Sequence, residues 1–439
     1  PATQSLLRMA ETAPTSSAAP VGQDLETSQT PLTIYGGIQA TTGNDGKDIA
    51  VKIAPSLDDR KVWAKSALAM ATCLHSRITE KETKVNIRGS IKKEFRAYMD
   101  VFLENVFPEH KMQEAMKHVL DEKLMKPRKW SDERYEEAMN TALSELPRLN
   151  PKATTKIEPM PAGKAPRPVI AVGDVGQIVT KAVTAIWEKL YCDYFHPGHI
   201  KHVDKRGALD RICGHLRSNR GGSTRMTAQY TGFSKMAREV TPMEGDGSAW
   251  DTTMSHALRE MTENRIIRHI IAFLRSNSQW VVPDAWLDAM QRDVEQKEMK
   301  LHFRDRVAGA TRFIIKAIRK SGDSYTSIGN NTVNRTIWDL CIYGLNAPQM
   351  LRKNKSGALN SSAVDRWGEI RWKKDAYEGD DSALNTTAKT PIYKHERDII
   401  RWMEKIGIRM KLKFPSHSME FCGYFLQVDE LGPTGRYMP

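Results

Sequence analysis

At 439 residues, with 40% hydrophobic and 27% charged side chains, the chain is long enough for a large buried core and more than one subdomain. A formal net charge of +13 favours a polyanionic partner, although charge alone does not choose between nucleic acid and an anionic membrane surface. Cys73, Cys192, Cys213, Cys341 and Cys422 lie far apart, which argues against a zinc knuckle or a disulfide framework and for a reducing compartment.

No apolar run is long enough to cross a bilayer. Residues 1–58 are rich in Thr, Ser, Pro, Ala and Gly, so a flexible N-terminal extension is expected, with a candidate hairpin over 32–53. Helical patterns follow near 60–76, 90–107, 110–123 and 131–146, punctuated by Pro108, Pro127 and Pro147. Residues 152–175 are proline-rich and basic, and a further helix is expected over 175–192. The short apolar stretch 240–250 leads into a helix over 253–275. A β-like run at 311–318 precedes a Ser321-Gly322 turn and a helix reaching Tyr343. Residues 346–374 read as a polar loop, 375–384 as two short strands around a turn, and 391–406 as an amphipathic helix. Strands and helices interleave, so the expected class is α+β.

Two acidic segments carry the candidate chemistry. In Glu244-Gly-Asp-Gly-Ser-Ala-Trp-Asp251, Asp246 at a strand end can turn its carboxylate toward a cation, with Asp251 across the turn. Magnesium takes hard oxygen ligands of this kind, although a turn with a helix cap at Asp251 fits the same residues. In Tyr377-Glu-Gly-Asp-Asp-Ser382, a hairpin turn presents Asp380 and Asp381. Alone it suits a solvated surface turn. With Asp246 it completes a set of carboxylates from separate strands, as two-metal catalysis requires.

Two further segments suit a nucleotide. In Ser321-Gly-Asp-Ser-Tyr-Thr326-Ser-Ile-Gly-Asn330, Thr326 and Asn330 share one helical face, placed to bond a ribose 2′-hydroxyl. A helix with a merely polar first half explains less of this run of small polar groups. Lys156, Lys164 and Arg167 lie on a proline-bounded stretch suited to a triphosphate, or to a solvated basic loop if taken by itself.

In this order and spacing the segments resemble the motifs of viral RNA-dependent RNA polymerases of positive-strand viruses, in the tombusvirus-like and flavivirus-like groups. The resemblance covers about 150–428. It implies a right-hand fold with an antiparallel palm sheet flanked by helices. Fingers fall at 59–238 and 256–320, palm at 239–255 and 321–428, and 429–439 is the start of a largely absent, truncated thumb or a tail. It implies Mg2+ (or Mn2+) on Asp246, Asp380 and Asp381, and ribose selection by Asp251, Ser321, Gly322, Thr326 and Asn330. Triphosphate contacts fall to Lys156, Lys164 and Arg167. Lys411 resembles the lysine implicated in protonating departing pyrophosphate, with Lys413 as its rival, and Glu420-Phe-Cys-Gly423 is similar to the primer-gripping hairpin. Asn331-Thr332 departs from the usual single Thr or Ser after the asparagine.

The implied partners are an RNA template, its nascent strand, ribonucleoside triphosphates and viral or host replication proteins. The implied setting is the host cytoplasm, in membrane-associated complexes reached through those proteins. Two rivals stand beside this reading. A reverse transcriptase ordinarily has an aromatic-x-Asp-Asp turn, whereas Glu378 and Gly379 precede Asp380 here. A non-catalytic RNA-binding scaffold with a polymerase fold is the other.

Overall fold

The structure is a computed structural model that describes residues 29–31, 39–42, 48–52, 60–63, 66–79, 85–121, 125–127, 129–144, 149, 151–156, 160–161, 165–218, 239–277, 282–305 and 309–437. The fold is α+β, with helices and mainly antiparallel sheets. Two compact units divide the chain: Pro1–Glu82, Asn150–Ala171 and Lys300–Ile315 form one, and Thr83–Leu149, Val172–Met299 and Lys316–Pro439 the other.

In the first unit, Gln39–Thr42 pairs antiparallel with Asp48–Lys52. The helix expected over 60–76 starts late. Arg60–Trp63 is a strand, as the β-favouring Val62 and Trp63 allow, and the helix covers Ala67–Leu74. Its start is set by Ser66, whose hydroxyl accepts from the Ala69 N–H at 3.0 Å. A four-stranded sheet runs in the order Gly309–Lys316, Glu298–Asp305, Lys152–Thr155, Pro168–Ala171.

The second unit opens with helices α1 (Gly89–Val106), α2 (Glu109–Asp121), α3 (Asp132–Ser144) and α4 (Gly173–Tyr194), all close to the sequence expectation. Their apolar spacing is the reason: Ile91, Phe95, Tyr98, Met99, Phe102 and Val106 recur at three and four residues and are all buried. Helix α5 (Lys205–Leu216) and strand β1 (Glu239–Gly247) follow.

The single helix expected over 253–275 is instead three: α6 (Trp250–Thr253), α7 (His256–Met261) and α8 (Glu263–Ser276). Hydroxyl groups make the breaks. Ser255 accepts from the Leu258 N–H, and the Thr262 hydroxyl bonds back to the Leu258 carbonyl at 2.8 Å. Helix α9 (Asp284–Glu295) comes next, then α10 (Thr326–Tyr343), whose residues from Ile328 to Tyr343 are all buried.

The polar stretch 346–374 is more ordered than a loop. Gly344–Leu351 is a 3-10 helix, Ser362–Val364 is strand β2, and β3 (Ile370–Glu378) begins within it. Its polar side chains build turns: Asp365 Oδ1 accepts from the N–H groups of both Trp367 and Glu369 at 2.9 Å. Strand β4 (Asp381–Ala388), helix α11 (Glu396–Lys405) and strand β5 (Met410–Lys413) complete the central elements. Strands β6 (Ser418–Phe421), β7 (Tyr424–Asp429) and β8 (Gly432–Tyr437) form a small separate sheet.

The main sheet has the order β2-β3-β4-β1-β5, antiparallel throughout. A continuous core joins α1, α4, α8, α10 and α11 through Phe95, Trp187, Ile267, Trp338, Tyr343 and Trp402. Strand β1 therefore lies inside the sheet, between β4 and the edge strand β5, and the β3–β4 turn and the end of β1 come out at the same end of the sheet.

Candidate active site

Asp246 is the next-to-last residue of β1 and is exposed. It stands directly opposite Asp381 of β4 on one side and Lys411 of β5 on the other. Opposed residues of an antiparallel ladder project from the same face, with Cβ atoms roughly 4.5–5.5 Å apart. Asp381, Asp246 and Lys411 thus form one row across three strands, with a cation beside two carboxylates. Glycines flank Asp246 because tryptophans pack there. A Cβ on Gly245 would stand 2.7 Å from Trp338 Cζ2, and one on Gly247 would meet the Trp250 ring.

Glu378 pairs with Asp381, so Gly379 and Asp380 make the two-residue turn, and Gly379 takes the left-handed φ of +62°. Burial pushes the Asp380 carboxyl up to about 6, and the like charges of Asp381, Asp246 and Asp251 add to the shift. Asp381 is raised too, mainly by burial, with Asp246 and Glu420 contributing and a hydrogen bond from Cys422 opposing. Cys422 has φ +50° in the β6–β7 turn and is next to Gly423 at +77°. This turn brings the Glu420-Phe-Cys-Gly423 segment to the acidic end of the sheet.

The acidic turn is held from behind by α10. Asn334 Nδ2 donates to the carbonyls of Gly379 and Asp381 at 3.2 and 3.3 Å, and Asn331 Nδ2 donates to the Tyr377 carbonyl at 2.6 Å. Ser382 donates to Asn334 Oδ1 and accepts from Trp338 Nε1. From the other side Lys201 reaches Glu378 Oε1 at 3.3 Å and the Ser327 hydroxyl, and Ser327 itself donates to Glu378. Nothing in the sequence alone singles out Asn334, Trp338 or Lys201, and Ser382 stands there only as the end of the acidic segment. Asn331 stands out only as a departure from a motif, whereas its amide also accepts from Tyr191 Oη at 2.6 Å. The available signal was two amides, Asn331 and Asn334, three residues apart on a helix that also carries Thr332, Arg335, Thr336 and Asp339.

The remaining candidate residues divide. Ser321 is exposed and Gly322 half-buried. The Thr326 hydroxyl is engaged with the Lys320 carbonyl at 2.6 Å, and the Thr332 and Thr336 hydroxyls bond back into their own helix, so part of the small polar run serves local structure. Asn330 is different: it is 7% exposed, and its Oδ1 has no hydrogen-bond partner among the described residues. A buried, unmet acceptor, next in sequence to the Asn331 that bonds the Tyr377 carbonyl, suits a donor from outside the chain. Asp251 is half-buried in α6, near enough to Asp380 to influence its ionisation.

Lys411 and Lys413 are separated by register. Lys413 belongs to the Glu244 row and reaches Glu244 Oε2 at 3.4 Å, while Lys411 shares the row of Asp246. In the first unit, the Lys156 N–H donates to the Arg167 carbonyl at 2.8 Å, which sets two exposed basic residues side by side. Lys164 lies outside the described residues.

A viral RNA polymerase is among the solved structures this chain is similar to. That structure, the BmCPV RNA-dependent RNA polymerase at its elongation state, matches over 96% of this chain at 10% sequence identity and a TM-score of 0.38. This chain spans 32% of its length. No protein-family model matches the chain, and no curated protein does. The functional reading therefore rests on the residues at the acidic end of the sheet. Among the described residues, no three His, Cys, Asp or Glu side chains are grouped closely enough to hold a metal ion, and no helix is long and apolar enough to cross a membrane.

Proposed function

We propose that this chain is the palm and fingers part of an RNA-dependent RNA polymerase that extends an RNA strand on an RNA template. The observation that carries the reading is the row Asp381–Asp246–Lys411 with Asp380 at the adjoining turn. In this reading 239–255 and 321–428 make the palm and 59–238 and 256–320 the fingers.

The carboxylates fit a divalent cation. Burial first, and then the like charges of Asp381, Asp246 and Asp251, push Asp380 up to about 6, so a cation among these carboxylates would be favoured. Magnesium is ordinarily held by one or two carboxylates with substrate phosphates and water, so a protein-only cage of three ligands is not required. Asp246, Asp380 and Asp381 would hold Mg2+ or Mn2+, which supplies Lewis-acid stabilisation of the attacking hydroxyl and the phosphate oxygens.

The other residues act by position. Asn330 offers Oδ1 to the ribose 2′-hydroxyl, with Asp251, Thr326, Ser321 and Gly322 shaping the sugar's surroundings. Lys411 is placed to give a proton to the departing pyrophosphate. Lys156, Lys164 and Arg167 supply cations suited to triphosphate oxygens. The Glu420–Gly423 turn, tied to the sheet by the Glu420 N–H on Glu244 Oε1 at 2.7 Å, suits a primer strand. The setting that fits is a cytoplasmic replication complex joined to membranes through viral or host proteins.

The test is incorporation of labelled ribonucleotides on a primed RNA template with Mg2+ or Mn2+, comparing this chain and a longer chain with the Asp380→Ala variant of each. Metal-dependent extension abolished by the substitution supports the reading. Silence from both the present and the longer chain sinks it.

A further inference from the structure

Behind the ribose-side residues lies a buried ion cluster that the proposed chemistry does not use. Glu263 is 0% exposed and Arg319 2% exposed. Glu263 accepts from Arg259 Nε at 2.7 Å through one carboxylate oxygen and from Arg319 Nη2 through the other. Arg259 Nη1 also holds the Ile318 carbonyl at 3.1 Å. The main chain of Arg319 donates to the Asp251 carbonyl at 3.1 Å. On the opposite side the pair lies against α10: a Cβ on Gly329 would stand 2.9 Å from both Arg319 Nη1 and Glu263 Oε2. Gly329 immediately precedes Asn330. One buried cluster thus touches the main chain bonded to Asp251, the strand exit before Ser321-Gly322, and the helical turn carrying Asn330.

Stability is a poor explanation for it. Buried ion pairs are often no better for stability than packed apolar groups of like size, and this one is incompletely satisfied. Arg319 Nε and Nη1 have no hydrogen-bond partner among the described residues.

We propose that the Glu263–Arg319 pair is a positioning element for sugar selection, fixing the main chain at Asp251 against the helical turn that holds Asn330. This rests on the polymerase reading, in which those two residues meet the ribose. A contact to a hydroxyl discriminates only while donor and acceptor stay aligned, so a small slip between Asp251 and Asn330 costs selectivity before it costs nucleotide addition.

The experiment measures kcat/KM for a ribonucleotide and its 2′-deoxy counterpart in template-directed single addition. It compares the unmodified chain with Arg319→Met, Arg319→Lys and Gly329→Ala. Arg319→Met leaves Arg259 and Glu263 as a balanced pair, and Gly329→Ala crowds the cluster without removing a charge. The expected result is a ribo-to-deoxyribo preference lowered about tenfold in Arg319→Met and Gly329→Ala, with ribonucleotide kcat within a few-fold of the original. Arg319→Lys is expected to recover part of the preference. Equal slowing of both nucleotides in Arg319→Met and Gly329→Ala is what a merely structural cluster gives, and it overturns the proposal. An unmodified chain that adds neither nucleotide, alone or extended, overturns the polymerase reading and this inference with it.

Discussion

Asp246 and Asp381 are paired across adjacent antiparallel strands, two carboxylates where a sheet ordinarily places complementary groups. The arrangement costs stability unless a cation joins it, and Lys411 on the far side of Asp246 offsets only part of the charge. Strain of this kind, built into a sheet end, makes several properties of the protein measurable without any turnover.

The first concerns pH. Asp380 has a folded pKa of about 6, above its ordinary 3.8, so the folded state holds its proton more tightly than the unfolded chain. The sign follows: this group weakens the fold increasingly as pH rises from about 4 to 6, and the penalty is complete above 6. Asp380→Asn is expected to be more stable than the original at pH 7.5 by about 1 kcal/mol, after allowance for partial solvent screening, and equal to it near pH 3.5. Urea unfolding at the two pH values checks this.

Divalent cations should reverse that penalty. Millimolar Mg2+ at pH 7.5 is expected to raise the unfolding temperature by about 1–2 °C, as binding to the folded state alone requires. The shift should vanish in Asp246→Asn and in Asp380→Asn. A shift that survives both substitutions places the cation elsewhere.

Asn334 tests the clamp behind the turn. Asn334→Ala removes two donations to main-chain carbonyls and one acceptance from Ser382, leaving those groups unmet in a partly buried setting. The expected cost is about 2–3 kcal/mol of stability, with kcat reduced far more than nucleotide KM. Denaturant melts and steady-state kinetics on the same preparation separate the two effects.

Gly245→Ala tests why glycine precedes Asp246. The added methyl would press on Trp338 Cζ2, in a ring whose Nε1 is fixed by Ser382. Overpacking at such a site costs about 1–3 kcal/mol, and it should displace Asp246, so the Mg2+ stabilisation should fall with the stability. Thermal melts with and without Mg2+ report both.

The two lysines of β5 should separate cleanly. If Lys411 supplies a proton, Lys411→Gln is expected to slow nucleotide addition by about a hundredfold and to remove the basic limb of its pH profile. Lys413→Gln, which loses only an exposed pairing with Glu244, should stay within a few-fold. The reverse ranking would move the proton donor to Lys413.

Much of this was legible in the sequence, for identifiable reasons. The apolar spacing of α1, α2, α3 and α4 marked them closely, and the glycine before Asp380 marked the turn. Asp246 and Asp381 were named, but not that they face each other, because register comes from pairing across more than a hundred residues of chain. The breaks at Ser255 and Thr262 escaped because hydroxyl groups set them, against an apolar pattern that runs on. The stretch 346–374 read as loop because its polar residues bond to their own main chain rather than to solvent. Asn331 and Asn334 escaped for a related reason: their partners are carbonyl groups of β3, β4 and the turn between them, which carry no side-chain signature.

Helix α10 joins these matters in one rigid body. Its first buried turn presents Asn330, and Asn331 and Asn334 grip the strands that present Asp380 and Asp381. Amide hydrogens along this helix and across the β4–β1 ladder should therefore exchange with solvent together, in a single opening event rather than piecemeal. Opening of this helix therefore withdraws the support of the acidic turn in the same event.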